Sequence, residues 1–287
     1  MRYRRLGRTG LQVSEVGVGG APLGIEDYLE KWSPDTAESE RSVRDMLSRA
    51  IGLGYNYIDT APSYGAGRSE ELIGLGLDGG LRSKTCLATK FLWRGQDKAA
   101  VMESVEASLR RLRTDYVDVL QIHGDTGYAY TPEDFRWIME SGPMEAMQQL
   151  REQGKVRYLG ITCEEPVSLV PFLETDQFDM IQIKYNVIHQ GAWHNVIPLA
   201  AKLDVGVVVM RPLTSGIFQK LMRNARPDIE ELVDLNELAL NFILSEPAIA
   251  SAIVGARRPS EVERNNAISD AARRIDLGEL QDRRVRG

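Results

Sequence analysis

The chain has 287 residues, of which 43% are hydrophobic, and a formal net charge of −6 at pH 7. A chain of this length can bury the core of one large domain or of two small ones. Its negative net charge argues against a nucleic acid or an anionic membrane as partner. The first residues lack the apolar core of a signal peptide, and no apolar run approaches membrane-spanning length. Cys86 and Cys163 lie in or just after apolar runs, so no disulfide framework is indicated and a cytoplasmic location is expected.

A hairpin is the first element that the sequence predicts. Two short segments, 3–6 and 11–13, flank a turn at 7–10, and Gly10 suits a turn residue with positive φ. We therefore predict that residues 1–14 form a hairpin that caps one end of the domain.

Beyond residue 14, β-branched runs alternate with helical periodicity. Val43, Met46, Leu47, Ala50 and Ile51 repeat at the helical spacing i, i+3, i+4, i+7, i+8. Strands are predicted at 16–18, 55–58, 85–89, 117–122, 156–161, 180–183, 205–210 and 252–254. Helices are predicted at 43–51, 70–77, 101–112, 143–154, 166–173, 193–203, 232–244 and 259–267.

Eight strands, each followed by a helix, predict a (β/α)8 barrel, also called a TIM barrel. Lys90 follows Asp59 by 31 residues and His123 follows Lys90 by 33, so one βα unit repeats at nearly constant length. Helical crossovers join the parallel strands, and closure removes the sheet edges. A six-stranded doubly wound sheet would leave two units unexplained. We predict a single domain over 1–287, with the cap at 1–14 and a tail at 270–287.

Four reactive side chains are expected to meet at one end of this barrel. Asp59, Lys90 and His123 each end a predicted strand, and Tyr64 lies in the loop after the first of these strands. Barrel enzymes carry their reactive groups at the C-terminal strand ends, where neighbouring strands are about 4.8 Å apart. A nearby ammonium lowers the pKa of a phenol. We predict Tyr64 as general acid/base, Lys90 tuning its pKa, Asp59 orienting Lys90, and His123 positioning the substrate oxygen.

Each of these residues also has a structural interpretation. A strand-end Lys–Asp pair is commonly an ion pair, a loop Tyr commonly packs, and a lone His commonly makes a satisfied hydrogen bond. All four at consecutive strand ends favour catalysis. The competing functions are a regulatory subunit that binds a cofactor with little turnover, and a barrel isomerase or epimerase that uses Tyr64 and Lys90 without net redox.

With these motifs, the chain resembles the aldo-keto reductase family, barrel enzymes that reduce aldehydes and ketones with a nicotinamide cofactor. The resemblance is carried by LGRTG at 6–10, DTAPSYG at 59–65, SLRRLRTDYVDVLQIH at 108–123, GKVRYLGIT at 154–162 and IVGAR at 253–257. It implies an NAD(P)(H)-dependent oxidoreductase acting on an aldehyde or ketone, or on the corresponding alcohol or sugar. It also maps the four catalytic residues of the family onto Asp59, Tyr64, Lys90 and His123.

The resemblance further implies a cofactor site across the ends of the later strands. Thr162 and Gln182 would contact the carboxamide, and the loop 211–216 would contact the pyrophosphate, with positive charge from Lys220 or Arg223. The implied contacts are Gly20, Ala21, Thr162, Cys163, Gln182, Met210, Arg211, Pro212, Leu213, Ser215, Gly216, Gly255, Ala256, Arg257, Glu261 and Asn265. Cys163 stands where the family usually has Asn, so a weaker hold on the carboxamide is expected.

The choice between the two nicotinamide cofactors depends on two neighbouring arginines. Arg257 and Arg258 are expected to clamp a 2′-phosphate, which favours NADP(H) over NAD(H). Two solvated arginines are the alternative. Glu261 stands where many family members have a basic or amide residue toward that phosphate.

Two other patterns are not interpreted as sites. The glycine pattern at Gly74, Gly76 and Gly79 follows a helical stretch rather than a strand, so the context for cradling a phosphate is missing. His189 and His194 have no Cys or paired carboxylate at ligand spacing, so no metal is expected.

Aromatic residues of the βα loops predict the substrate pocket. Tyr28 and Trp32 lie in the first loop, Trp93 follows Lys90, and Tyr128 lies in the long connection 124–142. Aromatic walls favour a small-molecule carbonyl with a flat apolar or sugar-like body, and ordinary loop packing is the alternative. The sequence does not indicate the physiological substrate or the oligomeric state.

Overall fold

The computed structural model describes residues 1–124 and 126–277. Within these residues, eight parallel strands close into a barrel, and a two-stranded antiparallel hairpin lies outside it. The barrel strands are β3 (Val16–Gly19), β4 (Tyr57–Asp59), β5 (Cys86–Phe91), β6 (Val117–Ile122), β7 (Val156–Cys163), β8 (Met180–Lys184), β9 (Gly206–Met210) and β10 (Ile249–Gly255). They pair in chain order, and β10 closes on β3. The predicted (β/α)8 barrel is confirmed.

The hairpin consists of β1 (Tyr3–Arg5) and β2 (Gln12–Ser14). Gly10 ends the turn between them with a φ of 70°, in the left-handed region that glycine adopts readily. Leu6 and Val13 are buried in the cluster that fills the barrel interior, together with Tyr57 of β4. The predicted N-terminal hairpin is confirmed, and Leu6 and Val13 of this segment pack against the apolar residues inside the barrel.

Helices surround the barrel and cover the outward faces of its strands. They are α1 (Ala21–Gly24), α2 (Ala37–Gly52), α3 (Arg68–Gly76), α4 (Lys98–Leu112), α5 (Pro132–Glu140), α6 (Pro143–Glu152), α7 (Val170–Leu173), α8 (Val196–Lys202), α9 (Ile217–Ala225), α10 (Ile229–Leu232), α11 (Leu235–Leu244) and α12 (Pro259–Ala271). The predicted stripe on α2 is buried at Val43, Met46, Leu47 and Ala50, so that helix packs on the barrel as its periodicity predicts.

The connection 124–142, predicted as a long loop, contains α5. Its start has a capping box, in which the Thr131 side chain accepts from the Asp134 backbone N–H and the Asp134 carboxylate accepts from the Thr131 backbone N–H. Pro132 occupies the first turn, where its missing N–H costs nothing. These residues are a sequence signal that the prediction missed, and α9 and α10 were missed as well.

The described part of the chain ends shortly after α12. Residues 278–287 of the predicted tail lie outside the described residues. Cys86 and Cys163 are both free and buried. Among the helices of the described residues, none has the length and apolar character needed to cross a membrane.

Candidate active site

The pleat of the strands decides which side chains enter the barrel interior. Tyr57 on β4 and Ala88 on β5 belong to the apolar cluster inside the barrel. Two residues further along each strand, on the same face, come Asp59 and Lys90. On β6, Gln121 pairs in register with Lys90. The alternation of side chains therefore brings three polar groups from neighbouring strands to one level near the C-terminal end.

Lys90 and Asp59 form a buried ion pair. The Lys90 Nζ lies 2.6 Å from Asp59 Oδ1, and each side chain is only 1% exposed. The same ammonium donates to the Thr60 carbonyl at 2.8 Å and to the Tyr64 hydroxyl at 3.2 Å. An ammonium has three donors, so these three acceptors use all of them and fix the position of the charge.

Two glutamines hold the Asp59 carboxylate from its other side. The Gln121 amide donates to Asp59 Oδ2 at 2.9 Å, and Gln182 on β8 donates to Oδ1 at 3.5 Å. A Cβ at Gly160 would lie 2.5 Å from Met180 Sδ and 3.0 Å from Gln121 Cγ, so the glycine leaves room for both side chains. The sequence prediction missed Gln121, although a polar residue two positions before His123 in an apolar strand shares its face.

Tyr64 reaches this group from the loop after β4. Gly65 has a φ of 68°, and a Cβ there would lie 1.9 Å from the Gly24 carbonyl oxygen. Only glycine permits such a close approach of the two loops. The Tyr64 ring meets the His123 ring edge-on, with centroids 5.7 Å apart and planes at 84°.

His123 is neutral in this setting. Burial, with a smaller contribution from the Lys90 charge, lowers the pKa of His123 to about 3. Its Nδ1 lies 3.3 Å from the Ser63 hydroxyl oxygen, a neighbour that the sequence prediction missed. A neutral imidazole donates from one nitrogen only, so a Ser63 hydroxyl that donates to Nδ1 leaves Nε2–H as the donor.

The sequence predicted that Lys90 lowers the pKa of Tyr64, and for the net shift of that pKa this prediction is wrong. Burial raises the pKa of the phenol, the Lys90 charge offsets part of that rise, and the net direction is upward. For Lys90, burial acts to lower the pKa, but Asp59 and Tyr64 outweigh it and the pKa is raised. At neutral pH the site therefore holds a protonated phenol beside an ammonium, which is an arrangement for giving a proton.

A cleft of about 660 Å³ opens over this group. Asp59, Tyr64 and His123 line its floor. Ten of the predicted cofactor contacts also line it: Gly20, Ala21, Gln182, Met210, Arg211, Pro212, Leu213, Ser215, Gly216 and Gly255. The other six are not among its lining residues: Thr162, Cys163, Ala256, Arg257, Glu261 and Asn265.

Hydrogen bonds within the protein account for several of the residues away from the cleft. Thr162 Oγ1 accepts from the Gly124 N–H at 2.9 Å. The Cys163 thiol is buried in the outer core, 3.4 Å from the Tyr128 carbonyl oxygen, and burial raises its pKa. Glu261 accepts from the N–H of Arg257 at 2.6 Å. Each of these three side chains therefore already has a partner within the protein.

One charged side chain of the cleft was not predicted. Glu164 follows β7, lines the cleft, and has a side chain that is 8% exposed. Its carboxylate pairs with Arg211 at 2.7 Å and with Lys184 at 3.4 Å. Its position three residues after the predicted strand 156–161 was the available signal, since the strand ends of a barrel carry the functional groups.

The cleft also has groups suited to a nucleotide. Gln182 Oε1 is buried without a hydrogen-bond partner in the described part of the chain, which leaves an acceptor for an amide N–H. Arg211 and Ser215, which line the cleft, each have a φ of 53°, an unfavourable backbone conformation for a residue other than glycine. Arg223 and Asn236 add a cation and an amide to the lining. These groups fit a dinucleotide cofactor.

Of the four predicted pocket aromatics, only Tyr28 is among the lining residues. The Trp32 indole donates to the Leu23 carbonyl at 2.9 Å, and the Tyr128 hydroxyl donates to Asp134. Trp93 is buried and packs against Tyr130 at 5.8 Å. The apolar wall near Tyr64 is formed instead by Ile25, Tyr28, Leu29 and Leu92. Across residues 1–124 and 126–277, no three His, Cys, Asp or Glu side chains are grouped as metal ligands.

Comparison with known proteins gives a consistent picture. The model of the "Aldo/keto reductase family" matches residues 15–276. L-galactose dehydrogenase of Arabidopsis thaliana is 30% identical, over 93% of this chain and 88% of that protein. The holo form of aldo-keto reductase AKR11C1 from Bacillus halodurans superposes with a TM-score of 0.79 at 29% identity, covering 98% of this chain and 94% of that one. A Klebsiella pneumoniae aldo/keto reductase in complex with NADP and acetate has a TM-score of 0.75 at 25% identity, covering 98% and 93%.

Proposed function

Because the chain belongs to the aldo/keto reductase family and is an NAD(P)-dependent oxidoreductase, we propose that Tyr64 is its general acid/base. The substrate is a small-molecule aldehyde or ketone, or the corresponding alcohol or sugar in the reverse direction. The observation that carries this proposal is the Lys90 ammonium, which is bonded at once to the Asp59 carboxylate and to the Tyr64 hydroxyl.

The residues of the chain divide the proton chemistry among them. Tyr64 donates its phenolic proton to the carbonyl oxygen as that oxygen becomes negative. Lys90, held by Asp59, stabilises the phenolate that is left. His123 donates from Nε2 to the same carbonyl oxygen and fixes its position. The nicotinamide cofactor, when bound, supplies the hydride that adds to the carbonyl carbon.

The cofactor would be held by residues that line the cleft. Gln182 offers its free oxygen to the carboxamide, the loop 211–216 receives the pyrophosphate, and Arg223 adds positive charge. We propose a preference for NADP(H), which is supported by the NADP-bound relative and by the half-exposed Arg258 guanidinium at the rim.

The proposed activity is tested by a substrate screen. Purified protein is mixed with NADPH or NADH and a panel of aldehydes, ketones and sugars, and the absorbance of the reduced cofactor is followed. We expect steady turnover of at least one carbonyl, with a higher kcat/KM for NADPH. Cofactor binding without turnover across the panel would contradict the proposal and favour a regulatory subunit.

The raised pKa of Tyr64 sets the pH dependence in each direction. Tyr64 must be protonated for reduction, and it stays protonated below its raised pKa, so we expect kcat/KM for reduction to vary less than about threefold from about pH 6 to about pH 9. His123, with a pKa of about 3, adds no inflection near neutrality. Oxidation needs the phenolate and should rise with pH by up to about tenfold per unit. A reduction rate that falls above pH 7 would show that the acid titrates near neutrality.

A further inference from the structure

Two adjacent arginines at the rim of the cleft have different environments. The Arg257 side chain is 3% exposed, whereas that of Arg258 is 47% exposed. Arg258 pairs with Glu30 and Glu261, each at 3.1 Å, and faces solvent. Arg257 points away from solvent toward the loop that connects β3 and α2, residues 20–36, called here the first loop.

Every nitrogen of the Arg257 guanidinium is used by the first loop. Nε donates to the Pro22 carbonyl at 2.9 Å, Nη2 to the Tyr28 carbonyl at 2.9 Å, and Nη1 to the Glu30 carboxylate at 3.0 Å. The guanidinium carbon also lies 4.8 Å from the centre of the Trp32 ring. These bonds use three of the five N–H donors of the guanidinium, one on each nitrogen, and hold the 3%-exposed side chain against the first loop and not among the residues that line the cleft.

The backbone of Arg257 is fixed in turn by the helices beneath it. Its N–H donates to Glu261 of α12 at 2.6 Å, and its carbonyl accepts from Ser42 of α2 at 2.8 Å. The side chain therefore extends from a backbone that is bonded to two helices, and it connects the first loop to them.

The first loop forms one wall of the cleft beside Tyr64. Ile25, Tyr28 and Leu29 line the cleft, and Leu29 has a φ of 67°. That backbone conformation is unfavourable for a leucine, so contacts from outside are needed to hold it. At the tip of the loop, the Trp32 N–H donates to the Asp27 carboxylate at 2.8 Å and the Asp27 N–H donates to the Trp32 carbonyl at 3.0 Å. The hydrogen bonds of Arg257 connect this tip to the barrel.

We propose that Arg257 is a positioning residue that pins the first loop as the substrate wall, and that it is not a ligand of the cofactor 2′-phosphate. The part that concerns substrate rests on the proposed function. The loop-pinning part stands on the contacts alone. Of the two arginines expected from the sequence to clamp a phosphate, only Arg258 keeps that role.

The test compares Arg257→Gln with its matched neighbour Arg258→Gln, starting with digestion by endoproteinase Lys-C. This enzyme does not cut at arginine, so neither substitution changes the cleavage sites, and the exposed Lys31 lies within the first loop. We expect Arg257→Gln to speed cleavage after Lys31 at least about tenfold, because losing one hydrogen bond of a charged group suffices for that factor. Arg258→Gln should speed cleavage by less than about threefold, because its one contact with the first loop is an ion pair to Glu30 between half-exposed side chains.

Cofactor and substrate measurements complete the comparison. Dissociation constants for NADPH and NADH are measured from the quenching of protein fluorescence, and their ratio gives the preference for NADPH. In Arg257→Gln this preference should stay within about twofold of the original value. In Arg258→Gln it should fall by at least about fivefold. In turnover, Arg257→Gln should raise the substrate KM by about threefold to tenfold with little change in kcat. If the unsubstituted protein shows no turnover, the proposed function fails while the proteolysis still tests the pin.

Two results would overturn the inference: cleavage after Lys31 at the original rate in Arg257→Gln, or a loss of the NADPH-to-NADH ratio equal to that of Arg258→Gln. Should Arg257→Gln not fold, Glu30→Gln tests the same contact from the loop side, and Arg258→Gln accounts for the Arg258 contact that Glu30→Gln also removes. Faster cleavage after Lys31 in Glu30→Gln supports the pin, and an unchanged rate overturns it.

Discussion

Tyr64→Phe is expected to lower kcat for carbonyl reduction by about 10²–10⁴-fold, the usual contribution of general acid catalysis. The substitution removes only the hydroxyl that donates the proton, and Lys90 keeps its bonds to Asp59 and Thr60. The protein should therefore fold, losing about 1 kcal/mol for one hydrogen bond. Cofactor dissociation constants should stay within about twofold. Steady-state kinetics and cofactor titration check both statements.

Tyr57→Phe is the matched control for this substitution. Tyr57 is also a buried tyrosine of the barrel interior, and its hydroxyl has no hydrogen-bond partner in the described residues. Removing that hydroxyl leaves no group unsatisfied, so activity should be unchanged and stability equal or higher. Equal kinetics in Tyr64→Phe and the unsubstituted protein would end the assignment of Tyr64 as the acid.

Lys90→Met is expected to abolish measurable turnover and to lower the free energy of unfolding by about 3–5 kcal/mol, the cost of leaving one partner of a buried ion pair alone. Asp59 would keep only its amide donors, Gln121 and Gln182, for a charge that is shielded from water. The phenolate formed at Tyr64 would also lose its stabilising cation. Denaturant unfolding and initial rates measure the two losses separately.

The double variant Asp59→Asn with Lys90→Met separates stability from catalysis. Removing both charges leaves a neutral amide that still accepts from Gln121, so most of the lost stability should return while activity does not. Lys184→Met serves as control, because this strand-end lysine pairs with Glu164 and Glu165 at 3.4 Å each and Glu164 keeps its closer partner Arg211, so the loss of unfolding free energy should be smaller than in Lys90→Met. A Lys90→Met protein as stable as the unsubstituted one would contradict the expected cost of breaking the buried ion pair.

Strand-end spacing was the most informative part of the sequence for the site. Residues that end consecutive strands of a parallel barrel must meet, because each strand contributes its C-terminal end to the same rim. Asp59, Lys90 and Tyr64 lie in one bonded group, and His123 packs against the Tyr64 ring. The period of two along a strand could also have pointed to Gln121, since it shares the inward face with His123.

The sequence was less informative about side chains beyond the strand ends. Trp32, Trp93 and Tyr128 are aromatic and lie in the βα loops, as a pocket wall would require, yet each makes its contacts elsewhere. The direction of a loop side chain depends on partners from distant segments, such as the Leu23 carbonyl for Trp32. Those partners cannot be recognised from local periodicity.

The sequence by itself determined the barrel, its hairpin and the meeting of four reactive groups, because strand alternation and βα repeat length are local properties that closure turns into geometry. Tertiary structure alone decided the electrostatics and the role of each arginine. Burial, which depends on every packed element, raises the Tyr64 pKa against the pull of Lys90. Arg257 turns to the first loop because three acceptors from that loop, more than 200 residues away in the chain, converge on its guanidinium.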